Sequence, residues 1–71
     1  MEQGDELRLP AHLREVARLL ADGRTNDEIA ESLVITRHTA EKYVSELKQL
    51  LEARDRVELA FKCKELGSRL P

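Results

Sequence analysis

Two threonines, Thr25 and Thr36, each stand directly before a stretch whose apolar residues recur at helical spacing, and this leaves the chain little freedom in how it folds. After Thr25, the segment Asn26-Asp27-Glu28 opens a helix whose apolar face is Ile29, Ala30 and Leu33. Val34-Ile35 leads to Thr36, which opens a second helix carrying Ala40, Tyr43, Val44, Leu47 and Leu51. A hydroxyl at each start accepts a hydrogen bond from helical amides that otherwise lack partners. Glu28, three residues after Thr25, completes a capping box. Only two or three residues remain for the turn, so the two helices must cross steeply. A helix-turn-helix presents its second helix to a DNA major groove by this geometry.

The flanking segments supply two more helices. Leu9-Pro10 starts the first, with Pro10 in the first turn, where its missing N–H costs nothing. Leu13, Val16, Ala17 and Leu20 follow at i, i+3, i+4 and i+7, and Gly23 sits just past Asp22, where a left-handed residue ends a helix. Asp55, with Glu58 three residues on, caps a fourth helix that is expected to run through Leu66 and stop at Gly67. The spacing therefore predicts a polar tail or linker over residues 1–8, one helical domain over 9–67 and a short tail over 68–71. The predicted class is all-α, a four-helix bundle around a central helix-turn-helix, winged-helix-like without the wing. The fourth helix is apolar on two opposite sides, Val57, Ala60 and Phe61 on one and Leu59, Cys63 and Leu66 on the other. The expectation is that the Val57 side enters the core. Leu59, Cys63 and Leu66 are then left to pair weakly with a second copy of the helix.

Composition narrows the function classes. The chain has 71 residues, one small domain close to the lower limit for a core without staples. A single cysteine permits no intrachain disulfide and points to a reducing, cytoplasmic setting. No apolar run is long enough to span a membrane, and no strand-like alternation persists. His12, His38 and Cys63 have no metal-ligand spacing. There is no phosphate-cradling glycine loop, nucleophile motif or cofactor signature, so neither enzyme nor cofactor is expected. Cys63 lies on an apolar stripe and reads as a small hydrophobe.

The formal net charge of −2 is unusual for a nucleic-acid binder, but its distribution is not uniform. Residues 1–35 carry four arginines against eight acids, and residues 36–71 carry eight Lys/Arg against six acids. A DNA-facing surface is therefore expected from the second half. The polar side of the third helix holds Arg37, Glu41, Lys42, Ser45 and Glu46, flanked by Lys48 and Gln49. Lys42 and Ser45 are placed to reach base edges, and Glu41 can accept from a cytosine amino group. Arg37 and His38 lie where the helix dipole and free amides already favour a phosphate, and Thr36 and Thr39 can donate hydroxyls there. Arg54 and Arg56 are further candidates for phosphate contact, while Asn26 and Asp27 read as local structure.

Leu19-Leu20-Ala21-Asp22-Gly23, Asn26-Asp27-Glu28-Ile29-Ala30, Ile35-Thr36-Arg37-His38-Thr39-Ala40-Glu41, Tyr43-Val44-Ser45 and Arg54-Asp55-Arg56 fall in one register. Together they resemble the C-terminal DNA-binding domain of LuxR/FixJ-type bacterial transcription regulators, over about residues 9–67. The resemblance implies a four-helix domain that reads duplex DNA with its third helix, pairs with itself through its fourth and regulates transcription. The domain is expected either to follow a receiver or sensor domain in a longer chain or to act as a free-standing effector, and the linker-like Glu2-Gln3-Gly4-Asp5-Glu6 favours the former. Three positions depart from the family pattern. Pro10-Ala11-His12-Leu13 replaces a Thr-x-x-Glu or Thr-Pro-Arg-Glu opening. Glu52-Ala53 replaces Gly-Val between the third and fourth helices, so that turn is expected to avoid a glycine conformation. Glu41 stands where the family usually has Lys or Arg. With an acidic first half and Glu41, the alternative is a protein-interaction module of the same fold, pairing with another regulator rather than DNA.

Overall fold

The computed structural model describes residues 9–69, which form four helices and no strand. These are α1 (Ala11–Ala21), α2 (Asn26–Leu33), α3 (Arg37–Leu50) and α4 (Arg56–Arg69). Each start follows from its sequence. Pro10 is the N-cap of α1 and offers no side-chain acceptor; only its carbonyl is used, taking the Leu13 amide at 2.9 Å and the Arg14 amide at 3.2 Å. Thr25 and Glu28 form the full capping box of α2, with the Glu28 amide donating to Thr25 Oγ1 at 3.2 Å and the Thr25 amide to Glu28 Oε1 at 2.9 Å. Thr36 Oγ1 accepts from the Thr39 amide at 3.1 Å. Asp55 Oδ1 accepts the Glu58 amide at 2.8 Å, and the Glu58 carboxylate reaches back to the Arg54 amide, also at 2.8 Å.

The first three helices end in the same way. The amide after the last turn returns to a carbonyl five residues back (Arg24 to Leu19, Ile35 to Ala30, Ala53 to Lys48), and the amide before it makes the inner bond. This closure places one residue in the left-handed region, a post that glycine fills without a Cβ penalty. Gly23 does so in α1, at φ 82°. Val34 occupies it after α2, at φ 56°, and Glu52 after α3, at φ 55°. The turn after α3 therefore takes the left-handed conformation without a glycine, contrary to the expectation from Glu52-Ala53. Val34 is the more strained of the two because its branched Cβ crowds the backbone. It is also 89% exposed, so little packing offsets that strain.

Leu13, Val16, Ala17 and Leu20 of α1, Ile29 and Ala30 of α2, Ala40, Val44 and Leu47 of α3, and Leu59 and Cys63 of α4 form one buried cluster. The most extensive helix pair is α1 against α4, and α2 packs on α3 beside it. The rotation of α4 corrects the sequence expectation. Leu59 is 0% and Cys63 3% exposed, whereas Val57 and Phe61 stand 81% and 61% exposed. Leu66 is half-buried. Two polar anchors straddling the Leu59–Cys63 stripe fix this rotation. On one flank the Arg56 guanidinium donates to Asn26 Oδ1 and to the Arg24 carbonyl, both at 2.7 Å. On the other, Lys62 Nζ donates to the Leu51 carbonyl at 2.9 Å. No apolar periodicity in α4 alone distinguishes its two faces; these long-range bonds do. Burial also pushes the Cys63 thiol up to about 11, consistent with a small hydrophobe in the core.

Gly67 does not end α4, which continues to Arg69. A helical glycine costs only about 1 kcal/mol relative to alanine, and the sequence holds a later stop signal in Pro71. The predicted tail of residues 68–71 is thus shortened by Ser68 and Arg69; the expected tail over residues 1–8 lies outside the described residues.

Val34→Gly should raise stability by about 1 kcal/mol, because it relieves a left-handed β-branched residue and gives up almost no packing. Gly23→Ala should lower stability by a similar amount, since a Cβ there meets open space and only the backbone is strained. Urea denaturation followed by circular dichroism measures both, and a destabilised Val34→Gly would show that the turn tolerates valine freely.

Candidate nucleic-acid interface

The helix-turn-helix holds α3 by its inner side. Ala40, Val44 and Leu47 are buried, and Tyr43 and Leu51 are half-buried beside them. The opposite side presents His38, Glu41, Lys42, Ser45 and Gln49 to solvent along one continuous arc, with Arg37 and half-buried Lys48 at its edge. Lys42, Tyr43, Ser45, Glu46 and Gln49 border an open depression on this surface. Gln49, which the sequence places only on the flank, stands one turn beyond Ser45 on the same exposed arc.

The cations near this arc differ in how they are engaged. Arg37 Nε donates to Glu41 Oε2 at 3.1 Å and lies 3.5 Å from Asp27 Oδ1 at the start of α2. The side chains of Lys42, Lys48 and His38 make no ion pair or hydrogen bond with another described residue. At the N-terminus of α3, Thr36 Oγ1 donates to Thr39 Oγ1 at 3.0 Å while also capping the helix, so both hydroxyls take part in local structure. Glu46 turns away toward α1, where His12 Nε2 is 3.3 Å from its Oε1. The His12 ring also stacks obliquely on Tyr43, with centroids 4.9 Å apart. His12 therefore braces α1 against α3, a contact with no signal in its sequence neighbourhood.

The two arginines before and within α4 separate clearly. Arg54 is exposed, with its guanidinium 3.8 Å from Glu58 at the surface. Arg56 is half-buried and holds the start of α4 to the start of α2 through Asn26 and the Arg24 carbonyl. Its guanidinium is thus committed within the fold, and Asn26 is its acceptor. Lys62, not singled out in the sequence, neutralises the carbonyl end of α3, where a cation opposes the helix dipole. Leu59 and Cys63, expected at a self-association surface, are sealed in the core; the exposed apolar pair on α4 is Val57 and Phe61, one helical turn apart.

The four helices and the outward arc of α3 define a helix-turn-helix domain of the LuxR type. Residues 11–63 match the family described as bacterial regulatory proteins, luxR family, and the chain belongs to it. Domains of this family are DNA-binding regulators and not enzymes. The chain is 39% identical over 54 residues to the transcriptional regulatory protein DesR of Bacillus subtilis (strain 168), a match covering 76% of this chain and 27% of that protein. It is 36% identical over 63 residues to the uncharacterized transcriptional regulatory protein YvfU of the same organism, covering 89% of this chain and 32% of that one. The chain thus spans about a third or less of the length of these curated relatives. No solved structure matches it. No helix among the described residues is long and apolar enough to cross a membrane.

Arg56→Lys should destabilise the domain by about 2 kcal/mol, because an ammonium cannot make both charge-assisted bonds from one planar group. Arg54→Ala should change stability by less than about 0.5 kcal/mol, its ion pair being at the surface. Thermal denaturation of the two variants decides the assignment, and equal effects would contradict it.

Proposed function

We propose that the domain binds duplex DNA sequence-specifically by laying the exposed arc of α3 in the major groove, as the output element of a transcription regulator. The observation that carries this reading is the division of α3 itself. Its inner side is fixed by Ala40, Val44 and Leu47, while its outer side holds polar groups, including Lys42, Ser45 and Gln49, with no competing ion pair among the described residues. Lys42, Ser45 and Gln49 are suited to base edges. His38, Lys48 and Arg54, with the Thr39 hydroxyl, are suited to the phosphates on either side, and Arg37 stands at the N-terminal edge, while Thr36 serves as the cap of α3. Arg56 acts behind this surface by holding α4 in place.

Self-association belongs to the same reading, with its surface moved to the other side of α4. Val57 and Phe61 are a large exposed apolar pair in the domain, and a two-fold pairing of α4 would cover them. So small a contact gives a weak dimer that assembles on DNA, with half-sites repeated as the protein is. An N-terminal receiver or sensor domain and a cytoplasmic setting fit this role. The family membership favours DNA over a purely protein-directed module.

An amide-shift titration with a varied pool of duplexes tests the reading. Shifts should concentrate over Thr36 to Gln49 and at Arg54. Affinity should fall with salt with a log–log slope of roughly −3 to −5, as expected for a few phosphate contacts. Absence of any shift at ~50 mM salt would favour the protein-interaction module.

Phe61→Arg should leave the circular dichroism spectrum and the affinity for a single half-site unchanged while abolishing cooperative occupancy of two half-sites. Leu59→Ala should instead cost about 2–5 kcal/mol of stability through a core cavity. Retained cooperativity in folded Phe61→Arg would remove α4 from the dimer contact.

A further inference from the structure

Glu41 is an acid at the centre of a surface proposed to approach a polyanion, and it has a defined partner there. Arg37, one turn earlier on α3, donates from Nε to Glu41 Oε2 at 3.1 Å, and the same nitrogen lies 3.5 Å from Asp27 Oδ1 on α2. The guanidinium lies between two carboxylates on different helices at the solvent-exposed surface, a network that orients Glu41 without burying it. Glu41 Oε1 has no hydrogen-bond partner among the described residues. The arrangement therefore leaves an oriented acceptor on the arc between His38 and Ser45, with its charge partly offset by Arg37. Cytosine presents an amino donor to the major groove at N4; guanine and thymine present acceptors, which repel a carboxylate.

Resting on the DNA-binding reading, we infer that Glu41, positioned by the Asp27–Arg37 pair, is a specificity residue that selects a cytosine in each half-site and disfavours guanine and thymine there. Arg37 is then a positioning residue whose main partner is Glu41, and phosphate binding falls mostly to Lys48, Arg54 and the α3 N-terminus. A carboxylate in this place weakens binding to all DNA and weakens it least where the amino group is present. Discrimination by charge thus accompanies a modest overall affinity.

Selection from a randomised duplex pool by the 71-residue chain, followed by affinities on the selected site with one base changed at a time, tests the inference. The wild-type chain should prefer cytosine at one position of the half-site by about tenfold. Glu41→Gln, which keeps size and exposure, should transfer that preference to adenine, whose N6 and N7 suit an amide. Glu41→Ala should erase it and raise affinity for unrelated duplexes. Arg37→Ala should flatten the same position several-fold without altering the others. Circular dichroism checks that each variant is folded. If Glu41→Gln and Glu41→Ala retain the wild-type base preference on DNA that all bind, Glu41 is no specificity residue and only this inference falls. If Arg37→Ala lowers affinity equally for all sequences and reduces the salt slope by about 1, Arg37 is a phosphate ligand and the positioning role is wrong. If the wild-type chain binds no duplex at all, this inference falls with the DNA-binding reading.

Discussion

The seating of α4 against α1 is the contact on which the rest of the domain depends. A chain this short has one core, and Leu59 and Cys63 complete it from the far side of α1's Leu13, Val16 and Leu20. Hydrophobic burial alone does not choose which side of α4 enters, because Val57 and Phe61 offer at least as much apolar area. Arg56 and Lys62 make the choice. Arg56 closes onto the start of α2 and Lys62 onto the end of α3, so the rotation of α4, the position of α2 and the end of α3 are set together. With α4 turned this way, Val57 and Phe61 face outward and the arc of α3 is held on a rigid support.

The distribution of cations follows the same logic. Among the arginines and lysines of the second half, some serve the fold and others stay open to solvent. Arg56 and Lys62 satisfy backbone carbonyls that a small domain cannot otherwise cover. Arg37 is balanced by Asp27 and Glu41. Lys42 and Lys48 are left without an ion-pair partner among the described residues, on or beside the exposed arc. The net charge of the chain thus understates how a DNA-facing side can remain positive in places, and a count of charges by sequence half overstates how many are available.

Much of the fold is legible in the sequence because its signals are local. The caps at Thr25, Thr36 and Asp55 lie within four residues of the amides they satisfy, and the apolar spacing of α1, α2 and α3 has one solution each. The departures lie where the deciding partner is distant in sequence. α4 has two apolar sides, and only bonds from Arg56 and Lys62 to residues 10 or more positions away distinguish them. Val34 and Glu52 occupy left-handed positions that their side chains do not announce, because the closing hydrogen bonds outweigh the local preference. The same limit applies to the site. The exposed arc of α3 is readable from its periodicity, but the commitment of Arg56 to Asn26 and of Glu46 to His12 depends on neighbours brought together by the fold.

The central claim is that α3 reads the major groove, and methylation interference tests it most directly. Guanine N7 and adenine N3 point into opposite grooves, so methylating each in a duplex selected by the domain separates the two approaches. The account predicts loss of binding when guanine N7 is methylated at positions repeated about one helical turn apart, and no effect of methylating adenine N3 at the A·T pairs of the same half-sites. Interference confined to adenine N3, or binding indifferent to N7 methylation throughout the site, would contradict it.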